Sequence, residues 1–150
     1  MEAEVPIRLV LVDPPAGVDF GVQKGKGVQY ETLFVQQRTR GYIAFDFPVT
    51  VKDNQKDGLP DFLGPFAHGP SAGRFVYIDV GTYAGQTGTQ WSRRMKVPLQ
   101  GITWSLIRKV LAKPGHRLVA RIPGKGRDGS PSCATVQPLG DWEILKGRRD

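Results

Sequence analysis

Hydrophobic alternation with a period of two is the feature that most constrains how this chain folds. In the stretch YIAFDFPVTV, residues 42–51, every second residue from Ile43 to Val51 is a large apolar one. Successive side chains of a strand point to opposite faces, so this pattern predicts a strand with one buried face. Pro48 has no N–H to donate to a neighbouring strand, so we expect this strand to lie at an edge or to be bulged there.

Similar β-type runs, separated by glycine and proline, recur along the whole chain. With 150 residues and 39% hydrophobic residues, the chain has the size and apolar content of one domain, which we predict to span 1–150. The pattern predicts a mainly β fold, an antiparallel β-sandwich or barrel. The nine predicted strands cover 7–12, 18–23, 30–36, 42–51, 74–80, 93–99, 117–122, 133–136 and 142–145.

One segment, GITWSLIRKVLAKPG at 101–115, has helical spacing instead. We predict a short amphipathic helix over about 103–113, with Thr103 as its N-cap and the pair Pro114 and Gly115 as its stop. Its predicted apolar stripe consists of Trp104, Ile107, Val110 and Leu111.

Two further segments lack periodicity. The interval 53–73 is rich in glycine and proline but also contains Leu59, Phe62, Leu63 and Phe66, so we expect a packed loop that covers the mouth of a cavity. The basic residues at the end predict a loose tail at 146–150.

The net charge of +7 is concentrated in one half of the chain. Residues 1–75 hold nine acidic and eight basic residues, whereas residues 76–150 hold five acidic and thirteen basic residues. Clustered lysine and arginine raise the local potential and attract negative charge. This asymmetry predicts an anionic partner, either a small ligand or a nucleic acid.

The stretch GTYAGQTGTQWSRRMKVPL, 81–99, has the highest density of groups that could contact such a partner. If 74–80 and 93–99 form a hairpin, Asp79 faces Arg93 in one register and Arg94 in the other. Asp79 then either forms a plain ion pair or orients one arginine while the other, with Lys96, receives an anion. Strand alternation places the two arginines on opposite faces. The predicted ligand-binding residues are Thr82, Tyr83, Gln86, Trp91, Arg93, Arg94 and Lys96.

Three functions are compatible with these residues. The first is a binding module for a small anionic ligand near Arg93, Arg94 and Lys96, beneath the 53–73 loop. The second is nucleic-acid binding by the basic C-terminal half, with Trp91 or Tyr83 stacking on bases. The third is a small enzyme in which Asp79 or His68 acts as acid or base, although no known catalytic signature is present.

Other classes are disfavoured. The sequence lacks a cluster of cysteine and histidine for structural zinc, and we expect no metal and no cofactor. The apolar runs are too short for a membrane span, and a single cysteine cannot form an internal disulfide. We therefore expect a cytoplasmic protein without membrane contact, and the residues leave its oligomeric state open.

Four stretches carry a resemblance to a known family. They are PPAGVDFG at 14–21, GRFVYIDVGTYAGQ at 73–86, WSRRMKVPLQGITW at 91–104 and AKPGHR at 112–117. With them the chain, from about residue 7 to 143, resembles a family of small bacterial single-domain proteins of unknown function. The resemblance implies a free-standing bacterial domain and assigns no catalytic residue.

Overall fold

The fold is a sandwich of two β-sheets with one short helix. The structure is a computed structural model that describes residues 2–26, 29–34, 37–39, 41–54, 57–70, 73–83, 85–129 and 134–146. The prediction of a mainly β fold with one helix is confirmed, and the sheets form a sandwich rather than a closed barrel. The strands are β1 (Glu2–Val12), β2 (Asp19–Lys26), β3 (Gln29–Phe34), β4 (Gln37–Thr39), β5 (Tyr42–Asp53), β6 (Pro60–Leu63), β7 (Phe75–Tyr83), β8 (Thr89–Pro98), β9 (His116–Pro123), β10 (Ala134–Thr135) and β11 (Glu143–Lys146).

Sheet A has the strand order β11, β9, β1, β5, β4, with β6 also paired to β5. Sheet B has the order β10, β8, β7, β2, β3. All nine predicted strands are present, and the structure adds β4 and β6. Most neighbours are antiparallel, but β1 with β9 and β8 with β10 are parallel pairs.

The core lies between the inner faces of the two sheets. Leu9 and Phe45 of sheet A and Ile78 and Met95 of sheet B belong to the same buried cluster. The residues that alternate with them face outward, so each sheet has one outer face. The alternation predicted for β5 is therefore the pattern that builds the core.

Pro48 lies where one edge of β5 has no neighbour among the described strands. On that edge β4 pairs with residues 42–44 and β6 with residues 50–53, which leaves the middle of the strand uncovered. On the other edge Pro48 faces Pro6 of β1. Because neither proline can donate a hydrogen bond, this pair is of the non-hydrogen-bonded type, and the nitrogen of Pro48 faces the uncovered edge.

Helix α1 spans Trp104–Leu111 and begins as predicted. The Thr103 side chain caps it by accepting a hydrogen bond from the backbone N–H of Leu106, at 3.3 Å. Ile107 and Val110 are buried in the core. Leu111, predicted to share their stripe, is exposed because it is the last residue of the helix and only the preceding turns are covered.

The segment 53–73 is not one continuous loop. It contains β6, which pairs with β5, and an isolated bridge joins His68 to Phe75. Of the predicted C-terminal tail, Lys146 ends β11, and residues 147–150 lie outside the described residues. Within the described ranges, no helix is long and apolar enough to cross a bilayer.

Candidate functional site

The hairpin of β7 and β8 adopts the second of the two predicted registers. Ile78 faces Met95 in the core, and Asp79 faces Arg94 on the outer face of sheet B. Arg93 is opposite Val80 and therefore belongs to the other face of the strand. The expectation that the two arginines point to opposite sides agrees with this register.

A β-bulge follows Asp79 in the hairpin. Val80 pairs with Arg93 but Gly81 pairs with Trp91. Ser92 is therefore the extra residue of the bulge, and no residue of β7 lies directly opposite it. A Cβ atom at Gly81 would lie 2.9 Å from the carbonyl carbon of Gln90, closer than real Cβ contacts. Glycine is therefore required here by the close approach of two backbones.

Asp79 is a buried carboxylate that receives three hydrogen bonds. Its Oδ1 accepts from Nε of Arg94 at 3.1 Å. Its Oδ2 accepts from Oγ1 of Thr32 at 2.7 Å and, more weakly, from Nε2 of Gln23 at 3.4 Å. Because donors engage both oxygens, the arrangement favours a positioning role for Asp79 over proton transfer.

Arg94 is held in one orientation although its side chain is 46% exposed. Its Cζ lies 4.8 Å from the centre of the Tyr77 ring, and Nζ of Lys96 lies 6.0 Å from the same ring. No described residue accepts a hydrogen bond from the two terminal amino groups of Arg94. The guanidinium therefore keeps donors that no described residue uses, while its direction is restrained by Asp79 and Tyr77.

His68 supports Tyr77 from a buried position. The two rings stack with centroids 4.8 Å apart and planes 6° from parallel. Nε2 of His68 lies 3.1 Å from the backbone carbonyl of Gln23, so this nitrogen must donate. The structure therefore brings His68 and Asp79 to the same outer face, both in contact with Gln23. We call the group Gln23, Thr32, His68, Tyr77, Asp79, Arg94 and Lys96 the Asp79 cluster.

The remaining predicted ligand-binding residues lie farther along the hairpin. Trp91 and Arg93 line a shallow depression of about 280 Å³ together with Asp79, Ser92 and Arg94. Thr82 pairs with Gln90 beyond the bulge, and Gln86 belongs to a short 3-10 turn at the hairpin tip, where both are exposed. The side chain of Tyr83 lies outside the described part of the structure.

Sequence reasoning did not identify Tyr77, Gln23 or Thr32. Tyr77 could have been identified from the sequence, because the register that pairs Asp79 with Arg94 also pairs Tyr77 with Lys96. Gln23 and Thr32 come from β2 and β3, whose place beside β7 is a matter of strand order.

The basic residues of the C-terminal half do not share one surface. Arg94 and Lys96 lie on the outer face of sheet B, whereas Arg117 and Arg121 lie on the outer face of sheet A. Arg121 is paired with Glu143, and Nε of Arg117 lies 3.8 Å from Oδ1 of Asp46. The positive charge is therefore divided between opposite sides of the sandwich.

A cavity does lie beside the 53–73 segment, but it is not next to Arg93, Arg94 and Lys96, where the sequence predicted it. A cleft of about 490 Å³ lies between that segment and the start of α1. Its lining includes Leu59, Phe62 and Trp104, and it contains none of Arg93, Arg94 and Lys96. The sequence predicted one site that combines this cleft with Arg93, Arg94 and Lys96. In the structure the cleft and these three residues lie in separate places. Across the ranges that the structure describes, no three His, Cys, Asp or Glu residues are grouped as metal ligands.

Comparison with known proteins gives one match. A family model described as a family of unknown function, DUF5990, matches residues 5–145. No curated protein and no solved structure matches the chain significantly.

Proposed function

The chain belongs to the DUF5990 family, and we propose that it is a binding module for a small ligand that carries a phosphate or carboxylate group. The proposed binding surface is the outer face of sheet B at Arg94 and Lys96, above the ring of Tyr77. One observation carries the proposal: Asp79 binds Arg94 through Nε, at 3.1 Å, and no described residue accepts a hydrogen bond from the terminal amino groups of Arg94.

Orientation of Arg94 before binding lowers the cost of capturing an anion. A long exposed side chain normally loses rotamer freedom when it binds a ligand. Here the buried carboxylate and the Tyr77 ring already restrict the guanidinium. A planar guanidinium with amino groups left to donate matches the oxygen atoms of a carboxylate or phosphate.

Neighbouring groups add charge and contact area. Lys96 is exposed on the same face of β8, two residues from Arg94, and supplies a second positive charge. On the other side, the depression lined by Trp91 offers an aromatic surface. A small ligand fits this depression of about 280 Å³ better than a polymer does.

The geometry favours this function over the two alternatives. A nucleic acid needs several phosphate contacts along one surface, but the basic residues are divided between the two outer faces. An enzyme that uses Asp79 as a base would need a carboxylate oxygen turned toward a substrate, and donors already engage both oxygens.

Isothermal titration calorimetry at low ionic strength tests the proposal, with inorganic phosphate, sulfate and citrate as probes. We expect at least one probe to bind, and binding to weaken as salt is added. Arg94→Gln should lower the affinity about tenfold, the effect of losing a charged hydrogen bond. Lys96→Gln should have a smaller effect.

Arg121→Gln is the matched control. Arg121 is 44% exposed and is also paired with a carboxylate, but on the opposite face. Equal losses of affinity in Arg94→Gln and Arg121→Gln would show attraction to net charge only and would overturn the proposal. Failure of all three probes to bind would also overturn it.

A bacterial source and a cytoplasmic location belong to the same proposal. The first is supported by the resemblance of the four stretches described above. The second is supported by the single cysteine, which suits a reducing compartment.

A further inference from the structure

We propose that the cleft between residues 57–62 and the start of α1 is a second binding site, which takes a small ring-containing carboxylic acid. It lies apart from the Asp79 cluster, and the inference does not depend on the function proposed there. Three features support it: the size and lining of the cleft, the hydrogen-bond donors of Arg74 that no described residue uses, and the hydrogen bond that joins the two walls.

The cleft has the size of a small-molecule site and a lining that is half apolar and half polar. Its volume is about 490 Å³, within the range usual for ligand pockets. Phe62 and Ile102 are buried and form apolar walls, whereas Leu59 is 59% exposed although it lines the same cleft. A ring bound between these side chains would cover the apolar surface that Leu59 now presents to water.

Arg74 supplies the positive charge of the cleft, whose lining also includes the polar residues Asn54, Asp57, Gln100 and Thr103. Its Nη1 donates to the backbone carbonyl of Gly69, and its Nε lies 3.7 Å from Oδ1 of Asp61. That distance is too long for a hydrogen bond, and both atoms are buried without a partner among the described residues. No described contact uses Nη2, so a carboxylate that enters the cleft can bind the guanidinium there.

A hydrogen bond joins the two walls. Nε1 of Trp104, at the start of α1, donates to the backbone carbonyl of Gly58 at 2.8 Å. Near Gly58, the backbone N–H of Asn54 donates to the carbonyl of Leu59, and the N–H of Gly58 donates to the carbonyl of Asn54. The cleft therefore has defined walls. Because the indole N–H of Trp104 joins them, its NMR signal should report a ligand that binds in the cleft.

The experiment is an NMR titration of ¹⁵N-labelled protein with phenylacetate, and with phenylacetamide as its neutral analogue. We expect phenylacetate to shift the indole N–H of Trp104 and the backbone amides of residues 57–59 and 100–103. We expect phenylacetamide to bind about tenfold more weakly, because a carboxylate forms the stronger hydrogen bond to a guanidinium. Arg74→Gln should remove the difference between the two probes.

Two matched comparisons keep the test sharp. Leu59→Asp and Leu139→Asp change leucines of similar exposure, 59% and 62%, but only Leu59 lines the cleft. Leu59→Asp should abolish phenylacetate binding and Leu139→Asp should preserve it, and this pair suffices even if Arg74→Gln fails to fold. Arg94→Gln should leave the titration unchanged, which separates this site from the Asp79 cluster.

The inference would be overturned if millimolar phenylacetate caused no shift at Trp104. It would also be overturned by equal affinity for the acid and the amide, or by equal effects of the two leucine variants. Loss of binding in Arg94→Gln would move the site to the outer face of sheet B and would equally overturn it.

Discussion

Each outer face of the sandwich carries an ion pair of one arginine and one aspartate, but the buried partner is the arginine on one face and the aspartate on the other. On sheet A, Arg8 of β1 lies directly across from Asp46 of β5, and on sheet B, Asp79 of β7 lies directly across from Arg94 of β8. Arg8 is the buried partner of its pair, with a side chain only 4% exposed. In the second pair the carboxylate is the buried partner, with 7% exposure, and the arginine is 46% exposed.

The difference shows that the buried partner decides what an ion pair can do. Arg8 donates through both Nε and Nη2, at 2.6 and 2.9 Å, to the two oxygens of Asp46. Such a fork stabilises the sheet and commits those donors of Arg8 to Asp46. Asp79 instead restrains an arginine that still reaches solvent, and under the proposed function this pair is the preformed half of an anion-binding site.

The largest effect is expected from Arg8→Ala. Removing a buried charge leaves Asp46 without its closest partner, and we expect the free energy of unfolding to fall by about 3 kcal/mol. Urea denaturation followed by circular dichroism measures this loss. Arg121→Ala, which breaks the exposed pair with Glu143, should cost less than about 1 kcal/mol. Equal costs would break the distinction between the two faces.

Asp79→Ala should rank second, with a loss of about 2 kcal/mol. The change leaves Gln23 buried without this acceptor and also releases Thr32 and Arg94. The same denaturation assay measures the loss, and calorimetry with the phosphate, sulfate and citrate probes should show weaker binding although Arg94 keeps its charge. Unchanged anion binding would show that Asp79 does not orient Arg94.

Thr32→Val isolates the hydrogen bond between Thr32 and Asp79. The shape of the side chain is nearly kept, so we expect a loss of about 1 kcal/mol from the missing donor to Oδ2. Arg94 contacts the other oxygen, and its affinity for anions should therefore change less than twofold. A loss in affinity as large as that of Asp79→Ala would mean that the network acts as one unit.

The smallest effect on stability is expected from Arg94→Ala. Because this arginine is half exposed, its pair with Asp79 should contribute less than about 1 kcal/mol. A double-mutant cycle of Asp79 and Arg94, measured beside one of Arg8 and Asp46, compares the two pairs directly. A coupling energy for the sheet B pair as large as that for sheet A would show that it is structural.

Most of the strands could be predicted because their alternation reports one buried face. The sequence narrowed the hairpin of β7 and β8 to two registers, since matching Tyr77 with Met95 sets Asp79 opposite Arg93, whereas matching Ile78 with Met95 sets it opposite Arg94. The strand β6 was hidden by its four residues and by flanking glycine and proline. The parallel pairing of β1 with β9 joins segments about a hundred residues apart, which local patterns do not report.

The sequence by itself determined the mainly β class, the helix with its Thr103 cap and the proximity of Asp79 to an arginine, because these depend on periodicity and on neighbours in one hairpin. Only the tertiary structure decided that the sheets form a sandwich rather than a barrel, which arginine pairs with Asp79, that Thr32, Gln23 and His68 join them, and that the cleft beside Trp104 is a different place. Those facts depend on strand order and burial, which arise when segments distant in the chain exclude water from each other.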